Sequence, residues 1–204
     1  MPYTTLPDRA TIERVLVSLK ARNIEGLYAG NKSEALATLK SLIPAGAEVM
    51  TGLSKTLEEI GFAELLKSGQ HHWKNLKDAL LAEKDPAKQL LLRKQSALAQ
   101  YYIGSVHAIA EDGQVLIASG SGSQLPAYAY SSDNVIWVAG AHKIVRNVEE
   151  GLNRIKEHSL PLEVERMKAA GYAGSIIGKI LLFSFEGMPN RKIHLILVNE
   201  VLGF

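Results

Sequence analysis

Apolar residues recur along this chain with two alternating spacings, one typical of helices and one typical of strands. Residues 8–22 carry them at every third or fourth position, whereas residues 24–29 form a short apolar run that ends at Gly30. The alternation continues to the end of the chain. It predicts further helices over residues 31–43, 86–102, 124–130 and 147–155, and a short helix that ends at residue 61. It predicts further strands over residues 48–51, 134–139, 176–185 and 193–201.

This order of elements predicts an α/β fold, a three-layer, Rossmann-like domain with a mostly parallel sheet and helices on both faces. Residues 176–185 and 193–201 are separated by the turn 186–190, so they predict a C-terminal antiparallel strand pair at a sheet edge. Because an uncovered apolar edge invites pairing, we expect a homodimer or a hetero-complex. No repeat or linker divides the sequence, and we expect a single domain over residues 1–204.

Residues 101–122 predict a β-hairpin in the middle of the chain. Asp112 and Gly113 form its turn, because glycine accepts a positive φ and aspartate bonds to nearby backbone. The second strand ends at Gly120 and Gly122, where backbone N–H groups can face a ligand. Two interpretations stay open, a plain structural hairpin and a hairpin that forms part of a ligand site.

Composition limits the functions open to this protein. The formal net charge of +2 gives no sign of a nucleic-acid-binding surface. The absence of cysteine excludes thiolate catalysis, disulfides and cysteine-ligated zinc or iron–sulfur clusters within the chain. No apolar run reaches about 18 residues and no signal peptide is visible, so we expect a cytoplasmic protein without a membrane span. We expect no bound metal and no cofactor, because the sequence has no zinc motif, P-loop or dinucleotide fingerprint.

The first candidate site lies where a predicted strand meets a helix. Gly52, Ser54 and Thr56 place a glycine and two hydroxyls at the helix N-terminus, where free N–H groups and the helix dipole favour an anion. Ser54 can equally be an ordinary helix cap. The pattern does not decide between a ligand site and a cap.

Two further stretches carry candidate chemistry. Glu111 is the catalytic candidate near the hairpin turn, because its neighbour Asp112 is already explained by that turn. Lys143 follows the buried strand 134–139 and is a candidate for holding an anionic group, with a solvated surface lysine as the alternative. His107 lies in an apolar run and is interpreted as a hydrogen-bonded core residue.

These candidates are expected to share one site. The carboxyl ends of parallel strands meet at one edge of a sheet, so Ser54, Lys143 and the glycines at 120 and 122 should surround a single cavity. Glu111 should then lie at its rim.

Three successive motifs resemble those of the lactate-utilisation (LUD) domain family. They read Gly52-x-Ser54-x-Thr56-Leu57-x-Glu59-Ile60-Gly61, Ser105-Val106-x-Ala108-Ile109-Ala110-Glu111-x-Gly113 and Val135-Ile136-x-Val138-x-Gly140-x-x-Lys143-Ile144-Val145. The resemblance implies a fold similar to ribose-5-phosphate isomerase, glucosamine-6-phosphate deaminase and CoA transferases. It also implies a link to L-lactate oxidation beside iron–sulfur partner proteins, and it adds Ser105 to the candidate ligand-binding residues.

The sequence departs from the family pattern at two places. Many LUD proteins have a GTGNR-like turn after the central hairpin, and here that turn reads Gly120-Ser121-Gly122-Ser123-Gln124. Some relatives end in a cysteine-rich segment that can bind an iron–sulfur cluster, whereas this chain has none. The second departure removes electron transfer by this chain alone.

Three functional hypotheses follow. The leading one is a LUD-domain protein that binds a small anionic metabolite in lactate or related hydroxy-acid utilisation, as a non-catalytic subunit of an oxidising complex. The alternative is an independent enzyme of the isomerase or CoA-transferase-like type, acting on a sugar phosphate or acyl-CoA with Glu111 as its acid/base. The third is an assembly module whose pocket is vestigial.

Overall fold

A six-stranded, fully parallel sheet forms the centre of the computed structural model, which describes residues 2–204. Its strands, in order across the sheet, are β1 (Ile24–Ala29), β10 (Lys192–Val198), β7 (Asn134–Gly140), β4 (Tyr101–Gly104), β2 (Glu48–Thr51) and β3 (Lys74–Asn75). Every neighbouring pair runs parallel. The C-terminal ends of these strands therefore meet at one edge of the sheet, where open α/β folds place their ligands.

A smaller, four-stranded sheet holds the central hairpin. Its strands, in order, are β8 (Ile144–Val145), β5 (Ala108–Ala110), β6 (Val115–Ser119) and β9 (Lys179–Phe183). β5 and β6 form the predicted antiparallel hairpin, with Gly113 at φ +88° in its turn. A Cβ on Gly113 would also lie 2.7 Å from the backbone of Ser18, so both the conformation and the space require glycine.

Helices cover both faces of the large sheet and the outer face of the small one. The α-helices of the described residues are α1 (Arg9–Lys20), α2 (Lys32–Ser41), α3 (Lys55–Glu59), α4 (Phe62–Ser68), α5 (Leu76–Ala82), α6 (Pro86–Gln95), α7 (Val148–Arg154) and α8 (Leu160–Ala169). Side-chain caps start several of them, since Asp8, Asn31 and Asn147 each accept a hydrogen bond from a backbone N–H three residues on. These helix starts were predicted from the sequence.

The central strand β7 separates two hydrophobic cores. Val135 and Trp137 face a core shared with α1 and the inner face of the small sheet, whereas Ile136 and Val138 face a core shared with α2, α3 and α4. All four side chains are fully buried, as expected for a parallel strand covered on both faces. A third cluster joins the outer face of the small sheet to α7 and the turn that follows it. The small sheet is thus packed over one face of the large one.

Two sequence predictions were wrong, one about where a helix ends and one about how the C-terminal strands pair. The helix predicted over residues 86–102 ends at Gln95, and Tyr101 and Tyr102 instead begin β4, where aromatic side chains pack well on a pleated surface. The C-terminal strands do not form an antiparallel pair. β9 pairs with β6 in the small sheet, whereas β10 lies between β1 and β7 in the large one. Residues 195–198 of β10 are buried on both faces, which an edge position would not allow.

Two helical segments contain π-helical turns. Residues Ala127–Ser131 form one, within the helix predicted over residues 124–130, and Ile155–Ser159 form the other, which joins α7 to α8. π-Helical turns are rare and frequently lie at functional sites. None of the helices in residues 2–204 is long and apolar enough to cross a membrane.

Candidate functional site

A cavity of about 510 Å³ opens at the C-terminal edge of the large sheet. Its walls come from the segments that follow β2, β4, β6 and β7 and from α8. The polar side chains that line it include Ser54, Thr56, Lys77, Ser105, His107, Ser119, Gln124, Lys143, Ser159, Glu163 and Arg166. The volume lies within the range of small-molecule sites.

Lys143 forms part of the cavity wall although its side chain is only 2% exposed. It ends a short 3₁₀ turn, Ala141–Lys143, directly after β7. Its Nζ donates to Thr56 Oγ1 and Ser105 Oγ, each at 3.2 Å, and to the Val106 carbonyl at 3.1 Å. Through these contacts the Lys143 amine, which follows β7, binds the segments that follow β2 and β4.

The surroundings of Lys143 disfavour its charged form. Burial lowers the pKa of the amine well below its ordinary value, nearby Arg154 lowers it further, and Glu59 opposes the shift. Among residues 2–204 the ion pairs all lie elsewhere, so no carboxylate is within salt-bridge distance of Nζ. Lys143 is therefore a buried amine without a carboxylate in salt-bridge contact.

Arg154 lies directly behind the cavity wall and is fully buried. Its Nη1 donates to the His107 carbonyl at 2.6 Å and to Ser159 Oγ at 3.0 Å, and both of these residues line the cavity. Its Nε and Nη2 have no hydrogen-bond partner among the described residues. Burial lowers the pKa of the guanidinium to about 10, so it remains charged at neutral pH, again without a carboxylate.

The turn from β2 into α3 supplies two hydroxyls to the site. Ser54 Oγ accepts from the Leu57 N–H at 3.3 Å, so Ser54 caps the helix and also lines the cavity. Thr56 Oγ1 lies 3.1 Å from Ser105 Oγ and donates weakly to the Leu202 carbonyl. Ser54 is thus a helix cap, and its role in a ligand site stays a prediction.

The segment after β6 forms another part of the wall. Gly120 lines the cavity, as do its neighbours Ser121 and Gln124. Gly122 does not line it; its N–H is bonded to Ser119 Oγ at 2.9 Å, and its φ is +83°. Six of the seven predicted ligand-binding residues therefore surround one cavity, while their role in binding stays a prediction: Gly52, Ser54, Thr56, Ser105, Gly120 and Lys143.

Glu111 lies outside this cavity. The cavity adjoins the open end of the β5–β6 hairpin, near His107 and Ser119, whereas Glu111 lies at the closed end. Its carboxylate is 3.8 Å from Nη2 of Arg14, on α1. Glu111 is therefore not at the predicted rim, because the hairpin directs its turn away from the strand ends of the large sheet.

Several polar cavity residues were not identified from the sequence. His107 has the expected hydrogen bond, from the Ala118 N–H to Nδ1 at 3.2 Å, but it also lines the cavity. Burial lowers its pKa to about 3, helped by Lys143 and Arg154, so the ring is neutral at neutral pH. Arg166 lines the cavity on α8, where its guanidinium binds Glu163 at 2.7 and 2.8 Å.

His142, the buried neighbour of Lys143, makes stability depend on pH. Burial, with further contributions from Lys143, Arg154 and His158, lowers its pKa to about 3, whereas an unfolded histidine titrates at about 6.5. As pH falls between these values the unfolded chain binds a proton that the folded protein does not, so the free energy of unfolding falls by about 1.4 kcal/mol per pH unit. His142→Met should make this slope shallower by that amount in urea titrations at different pH. Above neutral pH the slopes of the two proteins should match, and equal slopes below pH 6 contradict the prediction.

Comparison with known proteins identifies the family. None of the curated proteins compared with the chain matches it. A crystal structure of a DUF162 family protein from Deinococcus radiodurans is similar to it with a TM-score of 0.50 and 13% identity, over 93% of this chain and 95% of that one. At this identity the likeness concerns the fold alone. The family model of the LUD domain matches residues 12–198, and the chain therefore belongs to the LUD domain family.

Proposed function

We propose that this LUD-domain protein binds a small organic anion in the cavity beside Lys143, within lactate or related hydroxy-acid utilisation. One observation carries the proposal. Two basic side chains, Lys143 in the cavity wall and Arg154 directly behind it, are 2% and 0% exposed, and neither is paired with a carboxylate.

Burying the two basic groups costs free energy. Removing an ionisable group from water is expensive unless an opposite charge compensates, and natural proteins rarely leave such groups unpaired. A carboxylate or phosphate in the cavity would supply the missing charge to Lys143 and Arg154. It would also favour the protonated form of Lys143, because an anion nearby raises the pKa of an amine.

The rest of the cavity supports an anion with polar substituents. The hydroxyls of Thr56 and Ser105 lie beside Lys143, and Ser54 lines the same cavity. Lys77 adds positive charge to the wall, whereas Arg166 is paired with Glu163. Hydroxyl groups can donate to an acid oxygen or accept from a ligand hydroxyl. A cavity of about 510 Å³ accommodates a hydroxy acid and leaves space for a larger anion such as a sugar phosphate.

The enzyme hypothesis, an isomerase or CoA-transferase-like activity on a sugar phosphate or acyl-CoA, is less well supported. Its acid/base candidate was Glu111, which lies at the far end of the hairpin from the cavity. Because the chain has no cysteine, electron transfer in a lactate-oxidising complex would fall to an iron–sulfur partner protein. We propose a binding subunit on these grounds, and a homodimer stays open as a second mode of assembly.

Ligand-dependent stabilisation tests the proposed function. We expect at least one of L-lactate, pyruvate, phosphate, ribose 5-phosphate and acetyl-CoA to raise the melting temperature, because a ligand at 100 times its Kd adds about 2.7 kcal/mol to the free energy of unfolding. Neutral analogues such as lactamide and ribose are the matched controls and should have no effect. Equal shifts with the neutral analogues, or no shift with any anion, contradict anion binding.

A further inference from the structure

We propose that Lys143 is a nucleophile that forms an imine with the carbonyl carbon of a 2-oxo acid, or of another small anion with an aldehyde or ketone group, bound in this cavity. The proposal rests on the proposed anion-binding function and narrows its ligand to carbonyl-bearing anions. It also assigns the chain a covalent step that Glu111 cannot provide from outside the cavity.

The placement of the amine supports a nucleophilic role. Nζ of Lys143 lies in the cavity wall at the end of a buried strand, where the 3₁₀ turn after β7 fixes the backbone. Its hydrogen-bond partners are all neutral groups: a backbone carbonyl, and the hydroxyls of Thr56 and Ser105, which can accept from the amine or donate to its lone pair. Burial and the lack of a paired carboxylate favour the neutral form of the Lys143 amine, whose lone pair is what attack on a carbonyl requires.

The hydroxyls of Thr56 and Ser105 meet a second requirement of imine formation, a route for proton transfer. Thr56 Oγ1 and Ser105 Oγ each lie 3.2 Å from Nζ and 3.1 Å from each other, so they form a short path for protons beside the reacting nitrogen. Imine formation moves protons from nitrogen to oxygen. A structural lysine would need only acceptors at these positions, whereas hydroxyl groups can both accept and donate.

The reaction balances without a further reagent. The lone pair of Nζ attacks the carbonyl carbon, the C=O pair moves to oxygen, and a proton passes from nitrogen to that oxygen to give a carbinolamine. The C–O bond then breaks, the second amine proton leaves with the oxygen as water, and a C=N bond forms. One amine and one carbonyl thus give one imine and one water.

The charged wall of the cavity determines which carbonyl compounds fit. Lys77 lies in the same cavity wall as Lys143, with Arg154 behind it, whereas the charge of Arg166 is compensated by Glu163. A carboxylate next to the carbonyl can meet this positive charge while the carbonyl carbon faces the amine. A neutral aldehyde has no carboxylate to meet this positive charge, so it should form less imine.

Reductive trapping on the native protein tests the proposal. We expect pyruvate or glyoxylate with sodium cyanoborohydride at neutral pH to add one reduced adduct, and peptide mass spectrometry should place it on Lys143. Exposed lysines are ordinarily protonated at this pH and provide an internal control within each digest. L-Lactate, which has no carbonyl, should give no adduct. Lys77, whose pKa burial also lowers, and Lys55 line the same cavity and are the competing positions, which Lys77→Arg and Lys55→Arg exclude while keeping the charge.

Two outcomes overturn the proposal. The first is an adduct on Lys77 or distributed over exposed lysines instead of Lys143. The second is thermal stabilisation by pyruvate and glyoxylate with no reduced adduct, which leaves anion binding intact and removes the imine. Absence of both stabilisation and adduct with every anion tested instead contradicts the proposed function itself. Because the mapping uses the native protein, the result does not depend on whether a Lys143 variant folds.

Discussion

Lys143→Met is expected to lower the affinity for the stabilising anion by about 10- to 150-fold, the equivalent of one hydrogen bond between charged groups, worth about 1.5–3 kcal/mol. Methionine fills a similar volume but offers neither a charge nor a donor. Because an anion favours the ammonium form of Lys143, the affinity of the native protein should also fall as pH rises, and this pH dependence should disappear in the variant. Isothermal titration calorimetry across neutral and alkaline pH measures both effects.

Lys156→Met is the matched control for this substitution. Lys156 lies on the second π-helical turn, is exposed and does not line the cavity, so its removal should leave affinity unchanged within about twofold. Equal losses in the two variants would mean that overall charge, and not the buried amine, determines binding. An affinity for Lys143→Met equal to that of the native protein would remove Lys143 from the site.

Arg191→Met should lower the free energy of unfolding by about 3–5 kcal/mol, the usual cost of leaving a buried ion unpaired. Arg191 pairs with the buried carboxylate of Glu186 and donates to the backbone carbonyls of Ala127, Tyr128, Ala129 and Ser132. The substitution removes the counter-charge of the carboxylate and the guanidinium donor of these carbonyls. Urea denaturation gives the magnitude.

The consequences of losing Arg191 extend to the cavity. The carbonyls that it binds belong to the π-helical turn Ala127–Ser131 and its flank, and Tyr128 from this turn lines the cavity. Arg146→Met, which removes an exposed ion pair with Glu150, is the matched control and should cost less than about 1 kcal/mol. The double variant Arg191→Met, Glu186→Met should recover part of the loss, because it removes the unpaired charge. Similar losses for Arg191→Met and Arg146→Met would contradict a structural role for the buried pair.

Local features of the fold were predictable from the sequence. Caps such as Asp8 and Asn31 specify helix starts within a few residues, and the Asp112-Gly113 turn specifies the hairpin, because both depend on neighbouring backbone groups. The pairing of β10 was not predictable in this way. Its hydrophobic run is compatible with any buried strand, and the choice of β1 and β7 as neighbours depends on contacts distant in the sequence.

The candidate site was likewise predictable where it depends on local sequence and not where it depends on long-range packing. The residues that follow strands β2, β4 and β7 could be grouped, because the ends of parallel strands converge. Glu111 could not be placed, because the sequence does not say which end of a hairpin faces the cavity. Arg154 was overlooked for a related reason. A basic residue between apolar helix positions ordinarily faces water, and its burial here depends on the His107 carbonyl and Ser159, which long-range packing brings into reach.

The central claim, that an organic anion binds beside the buried amine of Lys143, is tested most directly by locating that anion. A crystal of the protein should be soaked with the compound that gives the largest thermal stabilisation. We expect density in the cavity, with an acid or carbonyl group of the ligand within hydrogen-bond or covalent distance of Lys143 Nζ and next to the hydroxyls of Thr56 and Ser105. Density for the ligand only on the protein surface, with the cavity holding solvent at saturating concentration, would contradict it.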